Sequence, residues 1–350
     1  MICDIILFEK NNLQTERGAI VSNTTSRPED MALAIGAKKL HEGRQFMYDA
    51  AKRYHDSFKD PKTGFFKSEY LEKRSCPVCL KDNERVIFNA DGGVYVKCNE
   101  CGMGYLNPVF TDDSLTKFYT GNNTVQSEVV ENESDFYKKI YMKGLEALTP
   151  HTKRGAILDV GCSAGGFLDI AKSNGWDTWG VELNEAEIAY TKKKGHKAFN
   201  QMLESIEFPI KFNAITLWDV FEHIKDGHKY LKLMKRLLAP DGVIFIQVPN
   251  FHALAARVLQ EKCKMFDGLE HVNLYSPVTL KVIAEKNDFE IVSMSTVISE
   301  IPIVNNYLNY EDAYLGDIPH GGKVINLIDE KLLHENYLGY KIQAVLKNGG

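Results

Sequence analysis

The sequence predicts an α/β fold, doubly wound around a mostly parallel sheet and preceded by a helical appendage and a small metal-type ribbon. Two observations predict the sheet. From Gly155 onward short apolar runs alternate with helix-patterned ones, and the first apolar run ends in a glycine-rich loop. A third observation, two Cys-x-x-Cys pairs upstream, predicts the ribbon.

Taken in order, residues 1–74 open with an apolar run broken by Asp4 and a polar stretch, and then turn helical. Ser26 and Glu29 form a capping pair ahead of apolar Met31, Ile35, Leu40, Phe46, Met47 and Ala51, spaced by threes and fours. Asp60, Pro61 and Gly64 end the pattern, which reads as a helical appendage or an oligomerisation element. Residues 75–110 hold the cysteines, and residues 111–150 are a helical connector whose clearest amphipathic stretch is FYKKIYMKGLEAL. Residues 151–350 then read as one domain. AILDV, TWGVEL, NAITLWDV and GVIFIQV are its strands, with GGFLDIAKSNG, NEAEIAYTKKKG and HKYLKLMKRLL as the helices between them. SPVTLKVIAEKND follows as a helix, FEIVSMSTV as a strand and YLGYKIQAVLK as the last strand. Residues 300–336 form an insertion longer than an ordinary loop, a substrate lid or an assembly element.

Composition narrows the function. With 44% hydrophobic and 25% charged residues the chain is neither disordered nor collagen-like. The balance of 42 Lys+Arg against 47 Asp+Glu, a net charge of -5, argues against a protein that coats polyanions. No run approaches 18 consecutive apolar residues and no basic leader precedes the first apolar run, so a soluble, unexported chain is expected. Seven cysteines, four of them in two tight pairs, suit metal ligation in the reducing cytoplasm better than disulfides.

Cys76, Cys79, Cys98 and Cys101 are spaced C-x2-C-x18-C-x2-C. Two intervening residues let both sulfurs of a knuckle face one tetrahedral ion, and a hairpin turning at Asp91-Gly92-Gly93 brings the second knuckle beside the first. Thiolate softness selects zinc, and four cysteines leave no open position for catalysis. From Cys76 to Leu106 the ribbon has Lys81, Arg85 and Lys97 against Asp82, Glu84, Asp91 and Glu100, or 3 − 4 = −1. That is no footprint for phosphate, so the ribbon reads as a scaffold or part of an acceptor-binding face.

The loop ILDVGCSAGG carries Asp159 at the strand tip, then Gly161, Ser163 and Gly165 before a helix. Glycines there allow a tight turn and close approach of a cofactor, as they would in a dinucleotide enzyme. The acids discriminate: Asp159 stands before the loop and Glu182 ends the next strand, where it can accept both hydroxyls of a ribose.

In sequence order, ILDVGCSAGG, GVEL, FNAITLWDVFEHIKD, LLAPDGVIFIQVPN and EHVNLYSPVTLKVIAEKNDFEIV resemble the class I S-adenosylmethionine-dependent methyltransferases, particularly the branch with an Asp-Val-x-Glu-His signature. The cysteine module followed by GMGYLNPVF resembles the zinc-ribbon head that some members carry. The likeness covers residues 151–297 and the last strand. Ser163 departs from the usual middle glycine and Asp241 from a Pro-Gly-Gly turn, both at positions that tolerate small or polar residues. The resemblance implies a Rossmann-like, mostly parallel sheet with an antiparallel last strand, S-adenosyl-L-methionine as cofactor and a structural zinc. It implies that Asp159, Gly161, Ser163 and Gly165 hold the methionine half of the cofactor and Glu182 its ribose. Leu183 and Met202 would flank the adenine. Trp218 and Asp219 end the fourth strand beside the cofactor, although Trp218 reads equally well as a core aromatic.

Methyl transfer from a sulfonium depends mostly on alignment, but a hydroxyl acceptor also needs a base. His223 and His271 are the candidates, with Glu222 orienting His223 or capping the helix that begins near Asp226. Either histidine reads alternatively as a capping or core residue. Cys162 and Cys263 have no basic neighbour and read as packing residues. The expected function is methylation of a small molecule, on an oxygen of a sugar or nucleotide-linked glycan precursor, the sugar resting on analogy with zinc-headed relatives. The alternatives are an RNA methyltransferase that grips its substrate with the ribbon, which the charge disfavours, and a non-catalytic partner-binding scaffold, which the intact Asp159 and Glu182 disfavour.

Overall fold

The computed structural model describes residues 52–121, 135–298 and 329–349. The helical reading over residues 28–51, residues 122–134 of the connector and most of the 300–336 insertion therefore lie outside the described residues. No helix among the described residues is long and apolar enough to cross a membrane.

The ribbon region begins with a short strand, β1 (Leu71–Glu72), which pairs antiparallel with β5 (Val109–Phe110). Between them, β2 (Glu84–Ala90) and β3 (Gly93–Cys98) form the expected hairpin and β4 (Gly104–Leu106) adds to it. Two helices follow, α1 (Asp112–Gly121) and α2 (Asp135–Leu148).

Next come β6 (Ala156–Val160), α3 (Gly166–Ser173), β7 (Asp177–Val181), α4 (Glu185–Lys193), β8 (Lys197–Phe199), β9 (Phe212–Trp218), α5 (Gly227–Leu237) and β10 (Leu238–Pro249). The rest comprises α6 (Leu254–Leu259), β11 (Asn273–Leu274), α7 (Pro277–Glu285), β12 (Phe289–Val297), α8 (Glu330–Glu335) and β13 (Lys341–Asn348). The large sheet has the order β12-β13-β10-β9-β6-β7-β8. Its strands are parallel except β13, which lies antiparallel between β10 and β12, so the expected last-strand reversal is present.

β6 has β7 on one side and β9 on the other, so the chain reverses its winding direction there. That reversal opens a crevice at the carboxyl ends of these strands, where ligands of open α/β sheets collect.

Strand alternation divides the core between the two faces. Leu158, Ile215, Leu217, Ile244 and Ile246 pack beneath Leu231 and Met234 of α5 and Leu280 and Ile283 of α7. Ile157, Ala214, Trp218 and Phe245 face the other way, against Leu145 and Leu148 of α2 and Phe167 and Leu168 of α3. Gly144 lets α2 come close: a Cβ there would stand 2.3 Å from the Trp218 ring and 2.6 Å from that of Phe245.

The cysteine module is joined to the larger domain through a shared sheet of order β11-β4-β3-β2, in which Asn273 pairs with Tyr105 and Leu274 with Gly104. Tyr95 and Leu106 from the hairpin pack with Met265, Phe266 and Val272 from the segment before β11.

Candidate active site

At the crevice, the glycine loop is bound to the tip of β7 first through backbone, since Gly161 and Cys162 both donate to the Val181 carbonyl, at 2.8 and 3.1 Å. Gly161 has φ +74°, and a Cβ on it would come within 2.6 Å of Val220. Ser163 also lies in the left-handed region, at φ +47°. Its carbonyl accepts from the Thr191 hydroxyl at 2.7 Å and its N–H donates to Glu182 Oε2 at 3.1 Å. Gly165 caps α3.

Glu182 Oε1 accepts from Leu183 N at 2.7 Å and Asn184 N at 2.9 Å, so its carboxylate ties the loop to the β7 tip. Asp159 is buried beneath the loop and accepts from the Thr216 hydroxyl at 2.6 Å. Burial pushes its pKa up to about 8, the Thr216 bond opposing and the nearby Glu182 charge adding.

Leu183, next to Glu182, and Met202, two residues beyond an Asn200 whose Nδ2 donates to the Glu182 and Leu183 carbonyls, are 57% and 55% exposed, among the few large apolar side chains the described residues leave in water.

Two other residues expected at the cofactor are committed elsewhere. Trp218 is 3% exposed, its ring held among Tyr141, Phe167 and Phe245 at centroid distances of 4.9, 4.9 and 4.4 Å. Of its two readings, the structure selects the core aromatic. Asp219 is buried in an ion pair with Lys341 of β13 and accepts from Gln247 Nε2 at 3.1 Å. Lys341 carried no signal in the sequence, because the pairing depends on β13 inserting beside β10.

At the end of β9 a single helical turn, Phe221–His223, presents Glu222 and His223, and the loop before β11 presents His271. Glu222 Oε1 lies 3.8 Å from His223 Nε2 and 3.9 Å from His271 Nε2, and the imidazole centroids are 5.0 Å apart. The sequence left the two histidines 48 residues apart; the fold converges one ligand-type atom from each of the three side chains within 4.8 Å.

Glu222 is 1% exposed and neither carboxyl oxygen has a hydrogen-bond partner. Burial first, then the Asp219 charge, pushes its pKa up to about 8. It does not cap the following helix, because the side chain of Asp226 does so by accepting from Lys229 N at 2.9 Å.

The two histidines are driven apart in basicity. Burial, followed by the neighbouring His271, lowers the His223 pKa well below its ordinary value, so His223 is neutral through the physiological range. Burial also works to lower that of His271, but Asp267, Glu222, the Met265 carbonyl and Glu270 together outweigh it and raise it. His271 Nδ1 lies 2.8 Å from that carbonyl, which places a proton on Nδ1 and turns Nε2 toward Glu222. Asp267, unremarked in the sequence, accepts from the backbone N–H groups of Leu269, Glu270 and His271 and shapes this loop. His223 is the more accessible ring, with its side chain 21% exposed against 4% for His271. Environments that split a titratable pair in this way favour the neutral form of His223 and the charged form of His271.

The four ribbon cysteines converge as the spacing predicts. Cys76 and Cys101 sulfurs are 3.5 Å apart, as are those of Cys79 and Cys98, and all four lie within 4.8 Å of one another. A tetrahedral ion with bonds of about 2.3 Å needs sulfurs roughly 3.8 Å apart, so the set fits zinc. The knuckles share a local design. Leu80 N donates to the Cys76 carbonyl and Gly102 N to that of Cys98, and both Leu80 and Gly102 adopt left-handed backbone. Cys162 and Cys263 are buried, as packing residues should be.

Residues 134–294 match the family model described as a methyltransferase domain. The ubiquinone biosynthesis O-methyltransferase of Acinetobacter baumannii (strain AYE) is 24% identical over 103 residues, covering 27% of this chain and 44% of the relative. Its namesake from Pseudomonas paraeruginosa is 26% identical over 104 residues, with the same shares. The match thus spans less than half of either relative's length. Among solved structures, a SAM-dependent methyltransferase from Archaeoglobus fulgidus aligns over 61% of this chain and 94% of its own at 18% identity, with a TM-score of 0.42. Magnesium protoporphyrin IX methyltransferase from Synechocystis aligns over 64% and 86% at 12% identity, with a TM-score of 0.41.

Proposed function

We propose that this chain, in which residues 134–294 match a methyltransferase domain, is a class I S-adenosylmethionine-dependent enzyme that methylates a small molecule, on an oxygen of a sugar or nucleotide-linked glycan precursor. The observation that carries the reading is the β6–β7 tip. There Glu182 meets the glycine loop through Ser163, beside the exposed apolar side chains of Leu183 and Met202. Those residues suit S-adenosylmethionine: Glu182 retains acceptor capacity for ribose hydroxyls, and Leu183 and Met202 offer apolar faces to adenine. Asp159, Gly161, Ser163 and Gly165 form the cradle for the methionine half.

The cofactor, when bound, supplies an electrophilic methyl group on a sulfonium. The chain's own part is to align the acceptor and remove its proton. His223, neutral and the more accessible ring of the pair, takes the acceptor hydroxyl's proton as the oxygen attacks. His271 and Glu222, which share one proton-exchanging cluster with His223, flank the acceptor as hydrogen-bonding groups. The names of the curated relatives, both O-methyltransferases, support oxygen as the nucleophile. The sugar rests on the resemblance to zinc-headed enzymes.

A structural zinc on Cys76, Cys79, Cys98 and Cys101 completes the reading, and a ribbon of free thiols around a metal suits the cytoplasm. Incubation with methyl-labelled cofactor and parallel panels of nucleotide sugars and phenols tests the acceptor. Label in the sugars is expected, and label confined to the phenols would overturn the sugar assignment. Elemental analysis of protein purified without added metal should give one zinc per chain. A zinc content near zero with a folded ribbon and intact thiols would remove that metal.

A further inference from the structure

We propose that Arg74, which lies outside the matched methyltransferase domain and two residues before the first ribbon cysteine, is a positioning residue that sets the spacing of His223 and His271. The inference rests on the reading of those histidines as acceptor-site residues. Arg74 Nη2 donates to the Val272 carbonyl at 2.5 Å and to Asn273 Oδ1 at 2.9 Å, while Nη1 donates to the Lys225 carbonyl at 3.3 Å and Nε to the Leu106 carbonyl at 3.2 Å. Val272 directly follows His271 and Lys225 is two residues beyond His223, so one guanidinium holds the backbone of both histidine segments.

Asn273 closes the bridge, its Nδ2 donating to the Ile224 carbonyl at 2.6 Å. A planar fork of five donors suits this task, and a lysine ammonium cannot span the same four acceptors.

The fork is itself held from the ribbon side. Asn107 accepts from Arg74 N at 3.1 Å and donates to the Arg74 carbonyl at 3.0 Å, and the guanidinium lies 5.4 Å from the centroid of the Tyr105 ring. Two neighbours grip the same loops. Lys225 Nζ donates to Glu72 at 2.7 Å and to the Phe110 carbonyl at 3.0 Å, and the Tyr95 hydroxyl accepts from Gly268 N at 2.9 Å. Burial lowers the Arg74 pKa to about 10, which leaves it a cation at neutral pH. The segment 71–110 thus does more than cover the larger domain: through Arg74 it determines where the two imidazoles stand.

The test uses the full, zinc-loaded chain and Arg74→Lys, which keeps the charge and loses the fork. Ring-nitrogen NMR titration should show the split His223 and His271 pKa values each moving by at least about half a unit toward the ordinary 6.5. Turnover should fall about 10- to 100-fold, the scale of a small misplacement, with KM and cofactor affinity within about twofold. If both ring pKa values and turnover match wild type while the melting temperature drops, Arg74 only seals a joint and the proposal is overturned. Asn273→Ala, which removes the link to Ile224 and one of the four Arg74 acceptors, serves if Arg74→Lys does not fold; the same shifts at smaller amplitude are expected, and their absence overturns the proposal too. Shifted rings with unchanged turnover would uphold the positioning role and overturn instead the reading of the histidines as catalytic.

Discussion

Two strand tips a few residues wide treat an acid in opposite ways. At the end of β7, Glu182 accepts three backbone N–H groups, from Ser163, Leu183 and Asn184. Just beyond β9, Glu222 accepts none, although it is the more deeply buried of the two. An unmet buried polar group costs about 1–3 kcal/mol of stability, so the second arrangement persists at a cost that the first avoids. On the proposed reading the difference separates two duties. The tip assigned to the cofactor is held together by backbone donors. The tip assigned to the acceptor keeps carboxyl oxygens that a substrate hydroxyl could meet.

The largest expected effect strikes the acceptor end. His223→Ala should lower turnover by roughly 10²- to 10⁴-fold and leave cofactor binding nearly unchanged, as measured by initial rates and calorimetry. Full turnover in that variant from pH 6 to 9, with His271→Ala inactive, would move the base to His271. If both variants stayed active, the acceptor would need no enzymatic base.

Glu182→Ala attacks the other tip and should reverse the pattern. Cofactor affinity is expected to weaken by about 1.5–3 kcal/mol, since a charged acceptor of two hydroxyls is removed. Equal affinities by calorimetry would mean that the ribose is held elsewhere, and the contrast between the tips would lose its meaning.

A smaller effect reads the contrast through pH. In the fold the Glu222 pKa is about 8, above its ordinary 4.5, so the folded chain keeps a proton that the unfolded chain releases. The stability linked to that proton is complete below about pH 4.5 and is lost as pH rises to about 8. Glu222→Gln does not titrate. Relative to wild type it should therefore gain stability from pH 5 to pH 8, by at most about 1.4 kcal/mol per unit, and level off above. Urea unfolding of both proteins across that range checks it, and a constant difference would show Glu222 to be ionised in the free protein.

Much of this molecule was legible along the chain. β6, β7, β9 and β10 lie where apolar runs alternate with helical ones, because burial between two helical layers demands continuous apolar strands of that length. The ribbon was equally plain, because two residues between cysteines is a local geometric requirement of one tetrahedral ion. Trp218 was not: an aromatic at a strand end fits either a core or a ligand wall, and α2, brought close over Gly144, decided for the core. Asp219 reads in the sequence as a strand-end residue beside the cofactor, and its ion pair with Lys341 exists only because β13 inserts beside β10.

By itself the sequence determined the strand succession, the glycine loop with its two acids and the cysteine set, since each depends on residues near one another in the chain. Only the tertiary structure decided what Glu222 faces, which imidazole stays neutral, and that Arg74 holds both histidine segments. These depend on groups up to 199 residues apart, in the case of Arg74 and Asn273. A pKa or a hydrogen bond at such a place is set by burial and by the nearest charges, and those exist only once the chain has folded.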